Sequence, residues 1–181
     1  MSADLILERR FEPPLSPVDV LERASDSGWC FKMHRVQWEA SYLASTGRTM
    51  ICWFTAPDAE AARLALRRAG AEIARLWRGT VHDAPVAACP NVVVERSFTA
   101  PVVLDDIQAI ESAAAWCLES HRVRFARTFF SADRKRMLCL YEAPDAESVR
   151  LAQREAAMPV DAVWAFRTLG PEMLPADAAR S

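Results

Sequence analysis

The stretch MICWFTAPDAE at residues 50–60 returns as MLCLYEAPDAE at residues 137–147, 87 positions further along the chain. In both copies a short apolar run typical of a strand leads into Pro and Asp, which favour a turn and the start of a helix. A shift of 87 aligns residues 5–82 with residues 92–169 without a gap. The repeat therefore predicts that one structural unit occurs twice in the chain.

Each copy has the pattern of a β-α-β-β-α-β unit. A first strand, DLILERRF or NVVVERSF, precedes a helix with an apolar stripe, and two further strands are joined by a short polar turn. Asp58 and Asp145 are predicted to cap the second helices, and Trp77 and Trp164 lie on the last strands. This order is typical of the ferredoxin-like plait.

Both faces of the predicted sheets carry large apolar side chains, so the face without helices also needs a cover. The predicted fold is α+β, with two tandem ferredoxin-like units whose antiparallel sheets pack as a pseudo-dimeric α/β barrel. The expected boundaries are repeat 1 at 1–82, a linker at 83–91, repeat 2 at 92–170 and a flexible tail at 171–181.

Composition restricts the partners and the compartment. The 181 residues carry a net charge of −2, so no broad basic field favours nucleic acid or an anionic membrane. The first residues have no signal-peptide pattern, and no apolar run approaches the length of about 18 that a membrane span needs. Five cysteines, an odd number, predict reduced thiols in the cytoplasm. We expect a monomeric pseudo-dimer or a homodimer.

The segment VRFARTFFSADRKRMLCLYEAPDAESVRLAQREAAMPVDAVWAF (123–166) resembles a family of small, mostly uncharacterised bacterial proteins. The resemblance covers both repeats and is stronger in the second. It implies a ferredoxin-like fold, and nickel or another divalent metal as a cofactor, because some members are described as nickel-binding. Members often carry a His on the second helix, where this chain has Leu66 and Gln153. Neither side chain is a good nickel ligand.

The pattern W-C-x-x-x-H-R-V occurs at residues 29–36 and 116–123. Its Cys and His, Cys30 with His34 and Cys117 with His121, share one helix face and suggest a metal site or a Cys–His nucleophile pair. The alternative is structural. A buried Cys behaves as a small hydrophobe, and a His at a helix C-terminus can satisfy the last carbonyls.

Glu8 and Glu95 are candidate acid–base groups on the first strands, and each is followed by an arginine. Alternation sends the Glu to one face and the Arg to the other, but the sequence leaves open which face lines the barrel. In an apolar cavity either carboxylate would act as a general base, with His34 or His121 as a partner. The alternative is a solvent-exposed salt bridge.

Aromatic and polar side chains on the strands are predicted to line a ligand pocket, since such pockets are largely aromatic with few polar groups. The copies differ here, with Glu39 opposite Ala126 in the alignment, which favours one asymmetric pocket. The candidates are Trp38, Glu39, Tyr42, Arg127, Trp77 and Trp164.

Three functions fit the sequence. The first is a binding protein whose barrel-interior pocket holds a small molecule or a nickel-like transition metal. The second is a cofactor-independent α/β-barrel enzyme that uses a barrel Glu or His. The third is a structural or regulatory module with a filled barrel. The fold hosts all three, so the fold does not select among them.

Overall fold

A computed structural model of the protein describes residues 2–175. The described chain forms two compact units: unit 1 contains residues 2–79 and 167–175, and unit 2 contains residues 80–166. Within the described range no helix combines the length and the apolar character that a membrane crossing requires.

Unit 1 contains the first β-α-β-β-α-β segment. Its strands pair antiparallel in the order β4-β1-β3-β2, as the ferredoxin-like plait requires. The elements are β1 (Ala3–Arg10), α1 (Pro17–Met33), β2 (Gln37–Ala44), β3 (Thr49–Ala56), α2 (Ala59–Arg68) and β4 (Arg75–Asp83), whose last residues belong to unit 2.

Unit 2 repeats this plan with one difference. Its strands pair antiparallel in the order β8-β5-β7-β6. The first helix, predicted as continuous, is divided at Ala114 into two helices, whereas α1 is unbroken. The elements are β5 (Val92–Ser97), α3 (Leu104–Ala113), α4 (Ala115–Ser120), β6 (Arg124–Ser131), β7 (Arg136–Glu142), α5 (Ala146–Glu155) and β8 (Ala162–Leu169), whose end belongs to unit 1.

The predicted caps of the second helices are confirmed. The Asp58 carboxylate accepts a hydrogen bond from the Ala61 amide at 2.8 Å, and the Asp145 carboxylate accepts one from the Ser148 amide at 2.7 Å. Each bond satisfies an amide that the first helical turn leaves without a partner. The alignment of the two APDAE segments therefore reflects the same helix start in both units.

The helices cover one face of each sheet. In unit 1, Leu5 and Leu7 of β1 pack in one apolar cluster with Ala62 and Leu66 of α2. In unit 2 a second cluster joins the corresponding strand and helix residues, among them Val92, Val94, Val149 and Ala152. Side chains alternate along a strand, so the arginine two residues after Leu7 or Val94 points to the helices. The glutamate between them points away. The structure thus settles which face each charge occupies.

The predicted linker and tail contain local structure. The Asn91 side chain donates to the carbonyl of Ala143 at 2.8 Å and accepts from its amide at 3.0 Å. Pro171–Met173 forms a 3-10 turn, and Leu174 packs against the core of unit 1. Residues 176–181 of the predicted tail lie outside the described residues.

Gly47 lies in the β2–β3 turn, where its carbonyl accepts a hydrogen bond from the Leu15 amide. Its φ is +70°, and a Cβ built on it would lie 2.4 Å from the Leu15 carbonyl oxygen. We expect Gly47→Ala to destabilise the protein by roughly 1–3 kcal/mol in urea unfolding, through backbone strain and this close approach.

Arg134 is the control for this prediction. It occupies the equivalent turn position of unit 2 with a φ of 60°, and it already carries a Cβ. Arg134→Ala should therefore change the free energy of unfolding by less than about 0.5 kcal/mol. Equal effects of the two substitutions would show that the approach of Leu15 is not the cause.

Candidate functional site

The predicted glutamates and tryptophans contact each other in both units. Trp77 Nε1 donates to Glu8 at 2.7 Å, and Trp164 Nε1 donates to Glu95 at 2.7 Å. Arg75 lies 3.7 Å from the Glu8 carboxylate, and Arg136 lies at the same distance from that of Glu95. The carboxylates lie on the sheet face opposite the helices, whereas His34 and His121 cap the first-helix segments. The structure therefore does not bring the proposed acid–base partners together.

The other predicted ligand-binding residues are divided between the two sheet faces. Glu39 lies at a β-bulge and accepts a hydrogen bond from Thr55 at 2.8 Å. Tyr42 is buried and pairs with Ile51, on the face of Glu8. Because of the bulge, Trp38 points to the helices instead.

Arg127 of unit 2 follows the equivalent bulge of β6. Its Nε donates to the Asp83 carboxylate, and its guanidinium carbon lies 5.9 Å from the centre of the Phe129 ring. The bulge is therefore present in both units, but the charged side chain beside it differs. Arg127 and Trp38 belong to different units.

The repeated W-C-x-x-x-H-R-V pattern is a helix terminus. In unit 1 the His34 amide donates to the helix, Arg35 has a left-handed φ of 54°, and the Val36 amide donates to the Phe31 carbonyl at 2.9 Å. The equivalent bonds end α4, where the Val123 amide donates at 2.8 Å. This pairing of C-terminal carbonyls is the Schellman motif. The pattern therefore recurs because both helices end in the same way.

The Cys and His residues of this pattern do not form a recognisable metal centre. Cys30 and Cys117 are each 1% exposed. Burial, together with Glu155, raises the pKa of Cys117 and so disfavours the thiolate that binds metals. His121 Nε2 lies 3.1 Å from the Glu155 carboxylate, and His34 Nε2 is buried without a hydrogen-bond partner. Within residues 2–175 no group of three or more His, Cys, Asp or Glu side chains is placed to hold a metal ion. The described residues therefore do not fit a resident nickel site.

A buried polar network lies between the sheet and the helices of unit 2. Arg96 of β5 is only 1% exposed. Its Nη2 donates to Gln153 Oε1 at 2.5 Å and lies 3.9 Å from the Glu111 carboxylate. The Tyr141 hydroxyl donates to the same carboxylate. The Nε and Nη1 atoms of Arg96 are buried without a hydrogen-bond partner. Glu111 therefore supplies the counter-charge for a largely desolvated guanidinium.

The pKa values agree with this account. Burial alone lowers the pKa of Arg96, but its acidic neighbours outweigh burial, and the pKa lies above its usual value; these neighbours are Cys139, Tyr141 and Glu111. Burial raises the pKa of Cys139 and, strongly, that of Tyr141, so both remain protonated at neutral pH. Of these three neighbours, Glu111 is the one whose side chain is a carboxylate.

Unit 1 has the same arginine beside a cavity. Arg9 lines a cavity of about 90 Å³ between α1, α2 and the sheet. Its Nε is buried without a hydrogen-bond partner, and its guanidinium carbon lies 4.8 Å from the centre of the Phe11 ring. Within the described range no carboxylate forms an ion pair with Arg9. Burial lowers the pKa of Arg9, and Arg23 lowers it further; the opposing effects of Cys52 and Glu72 do not compensate.

The walls of this cavity are mainly apolar. Trp38 Nε1 donates to Ser41 Oγ at 3.0 Å, and that hydroxyl donates to Cys52 Sγ at 3.0 Å. The polar atoms of these three side chains therefore satisfy one another, and the charged residues of the lining are Arg9 and Arg23. The cavity also contacts Phe31, Phe54, Met50 and Leu66.

Unit 2 has a pocket at the equivalent place, with a volume of about 310 Å³. It is lined by Ile107, Glu111, Leu118, Phe125, Thr128 and Met137. The equivalent residues of unit 1, 87 positions earlier, are Val20, Ala24, Phe31, Trp38, Ser41 and Met50, and all six line its cavity. The two pockets are therefore one feature of the repeated unit, and their contents differ.

The two repeats differ in a way that indicates this site, although no single position indicates it alone. The first strand keeps its arginine in both copies, but Glu111, Tyr141 and Gln153 correspond to Ala24, Phe54 and Leu66. A charge that is kept while all its polar partners are lost indicates a change in what the pocket contains.

Comparison with known proteins places the chain in a family. The family described as "Nickel responsive protein SCO4226-like" matches residues 6–78 and again residues 93–165. The chain belongs to this family. The crystal structure of SCO4226 from Streptomyces coelicolor A3(2) is 18% identical over 40% of this chain and 90% of its own, with a TM-score of 0.37. A search of the curated proteins found no significant match.

Other solved structures match both units of this family member. A putative chlorite dismutase, TA0507, is 13% identical over 98% of this chain and 96% of its own, with a TM-score of 0.52. A mutant chlorite dismutase from Candidatus Nitrospira defluvii, in complex with cyanide, is 10% identical over 92% and 90%, also with a TM-score of 0.52. These are dimeric α/β-barrel folds, the class that the sequence predicted. At this identity the likeness is one of fold alone.

Glu111→Ala should leave the Arg96 guanidinium buried without its counter-charge. We expect a loss of about 3 kcal/mol in the free energy of unfolding, measured in urea, because an unpaired buried charge is strongly destabilising. The control is Glu119→Ala on the exposed side of α4, which should cost less than about 0.5 kcal/mol. Similar losses for both variants would contradict the role of Glu111.

Proposed function

We propose that the protein is a small-ligand-binding member of the nickel-responsive family and that it binds its ligand in the cavity of unit 1. The observation that carries this proposal is the difference between two equivalent pockets. Unit 2 brings Glu111, Gln153 and Tyr141 to its buried arginine. Unit 1 keeps the arginine and has a cavity lined by Ala24 and Leu66 at two of these positions.

The site lies on the helix side of the sheet, whereas the sequence placed the ligand in the barrel interior. Alternation along β1 is the reason, since it directs Arg9 to the helices and Glu8 away from them. Mainly apolar walls with a few fixed polar groups are the usual composition of a small-molecule site. Direct nickel binding receives no comparable support from the described residues, which provide two adjacent candidates, His121 and Glu155, rather than a full ligand set.

The cavity volume restricts the size of the ligand. A closed apolar cavity of about 150 Å³ accommodates benzene. The cavity of unit 1, at about 90 Å³, is smaller, so the buried part of the ligand has only a few non-hydrogen atoms. We propose that the protein acts in the cytoplasm on a small metabolite of this size rather than on a nucleotide or a larger cofactor.

Trp38 provides a probe for binding because its indole N–H lies in the cavity wall. We expect its signal in a ¹H–¹⁵N NMR spectrum to shift saturably with at least one of butanol, butylamine, butanamide, butanoate and benzene. Trp38→Phe assigns the signal, since Phe125 occupies the equivalent position in unit 2. No shift with any of these probes would refute the proposed function.

Two cavity-filling variants locate the site. Ala24→Leu places a larger apolar side chain beside Arg9 and should abolish the shift. Ser112→Leu does the same in the pocket of unit 2 and should leave the shift unchanged. Binding that survives in Ala24→Leu, or that is lost only in Ser112→Leu, would contradict the assignment to unit 1.

A further inference from the structure

Arg9 has no counter-charge of its own among the described residues, and this indicates which charge the ligand carries. Arg9 is partly buried, and its Nε has no hydrogen-bond partner in the described chain. A charge that is partly removed from water is stabilised by a counter-charge, because burial of an unpaired charge is costly. In unit 2 the Glu111 side chain reaches Arg96 from α3 and supplies that counter-charge. In unit 1 the equivalent position on α1 is Ala24, whose methyl group leaves room for a carboxylate that belongs to another molecule.

We propose that unit 1 binds a small apolar monocarboxylate, whose carboxylate takes at Arg9 the place that the Glu111 carboxylate takes at Arg96. This inference rests on the proposed function and names the chemical class of its ligand. The Arg96–Glu111 pair of unit 2 thus corresponds to the proposed pair of Arg9 with the ligand carboxylate.

The surroundings of Arg9 favour an anion over a cation. Arg23 of α1 also lines the cavity and adds a second positive charge. The acidic groups near Arg9 are Glu72, which raises its pKa, and Glu12; both line an adjoining groove with Arg9. Neither glutamate pairs with Arg9, so a ligand carboxylate does not have to displace an existing ion pair.

The rest of the cavity favours an apolar body on the ligand. Phe31 and Phe54 pack edge to face with ring centroids 5.5 Å apart, and both line the cavity with Met50 and Leu66. The Ser41 hydroxyl is already engaged by Trp38 and Cys52. A short hydrocarbon chain would contact these walls without leaving a polar group unpaired, whereas a phosphate or a sugar would leave several.

Binding of butanoate and of its neutral isostere butanamide tests the charge directly. On the wild-type protein we expect butanoate to bind about tenfold more tightly than butanamide, measured through the Trp38 indole signal, because the pair with Arg9 is charge-assisted. Equal affinities would refute this inference and leave the proposed function intact. The absence of binding by all the probes would refute both.

Inorganic phosphate tests the apolar part of the proposal. Phosphate should not shift the Trp38 signal at the concentrations at which butanoate saturates the cavity of unit 1. Binding of phosphate as tight as that of butanoate would identify a general anion site and would refute the monocarboxylate class.

Substitutions at Arg9 and Ala24 test the geometry. Arg9→Gln should weaken butanoate binding about tenfold or more and leave the affinity for butanamide unchanged. Ala24→Glu gives unit 1 the carboxylate that unit 2 already has, and it should abolish butanoate binding and raise the thermal midpoint. Ala24→Gln has the same shape without the charge and should not raise the midpoint.

The wild-type comparison of butanoate with butanamide needs no variant, so the inference remains testable if Arg9→Gln does not fold. An unchanged preference for butanoate in a folded Arg9→Gln protein would exclude Arg9 as the counter-ion. A fall in the thermal midpoint of Ala24→Glu with retained butanoate binding would exclude the correspondence between Ala24 and Glu111.

Discussion

An arginine on the first strand of each unit lies on the helix side of the sheet, where Arg96 is buried and Arg9 is partly buried. This single constraint organises the polar chemistry of both units. In unit 2 the charge is met by a carboxylate from α3, which in turn accepts a hydrogen bond from Tyr141. In unit 1 the same charge lies beside a cavity with apolar walls. The identity of three side chains around the arginine therefore separates a site with an internal counter-charge from one without it.

The sequence predicted the elements of the fold because their signals are local. The alternation of the strands, the short turn between β2 and β3 and the caps Asp58 and Asp145 each depend on a few neighbouring residues. The repeat then doubled the evidence for each element. The division of the first helix at Ala114 was not predicted, since the apolar stripe continues through it.

The site was harder to predict because it depends on which face of the sheet the helices cover. Alternation separates Glu8 from Arg9 but does not say which of them is buried beneath α1 and α2. The bulge at Glu39 also turns Trp38 to the helix side and leaves Tyr42 on the opposite one, which divides the predicted ligand residues. The recurrence of Cys and His followed from shared helix ends, so it carried no information about a site.

The joining of both units in one polypeptide has a consequence for stoichiometry. In a homodimer of single units, identical chains present identical pockets. Each dimer therefore has two equivalent binding sites. A fused chain can instead give its two arginines different surroundings, here with the Glu111 carboxylate beside Arg96 and Ala24 at the equivalent position in unit 1. A chain in which one of two equivalent pockets binds would saturate along a hyperbolic curve, with no cooperativity between its halves.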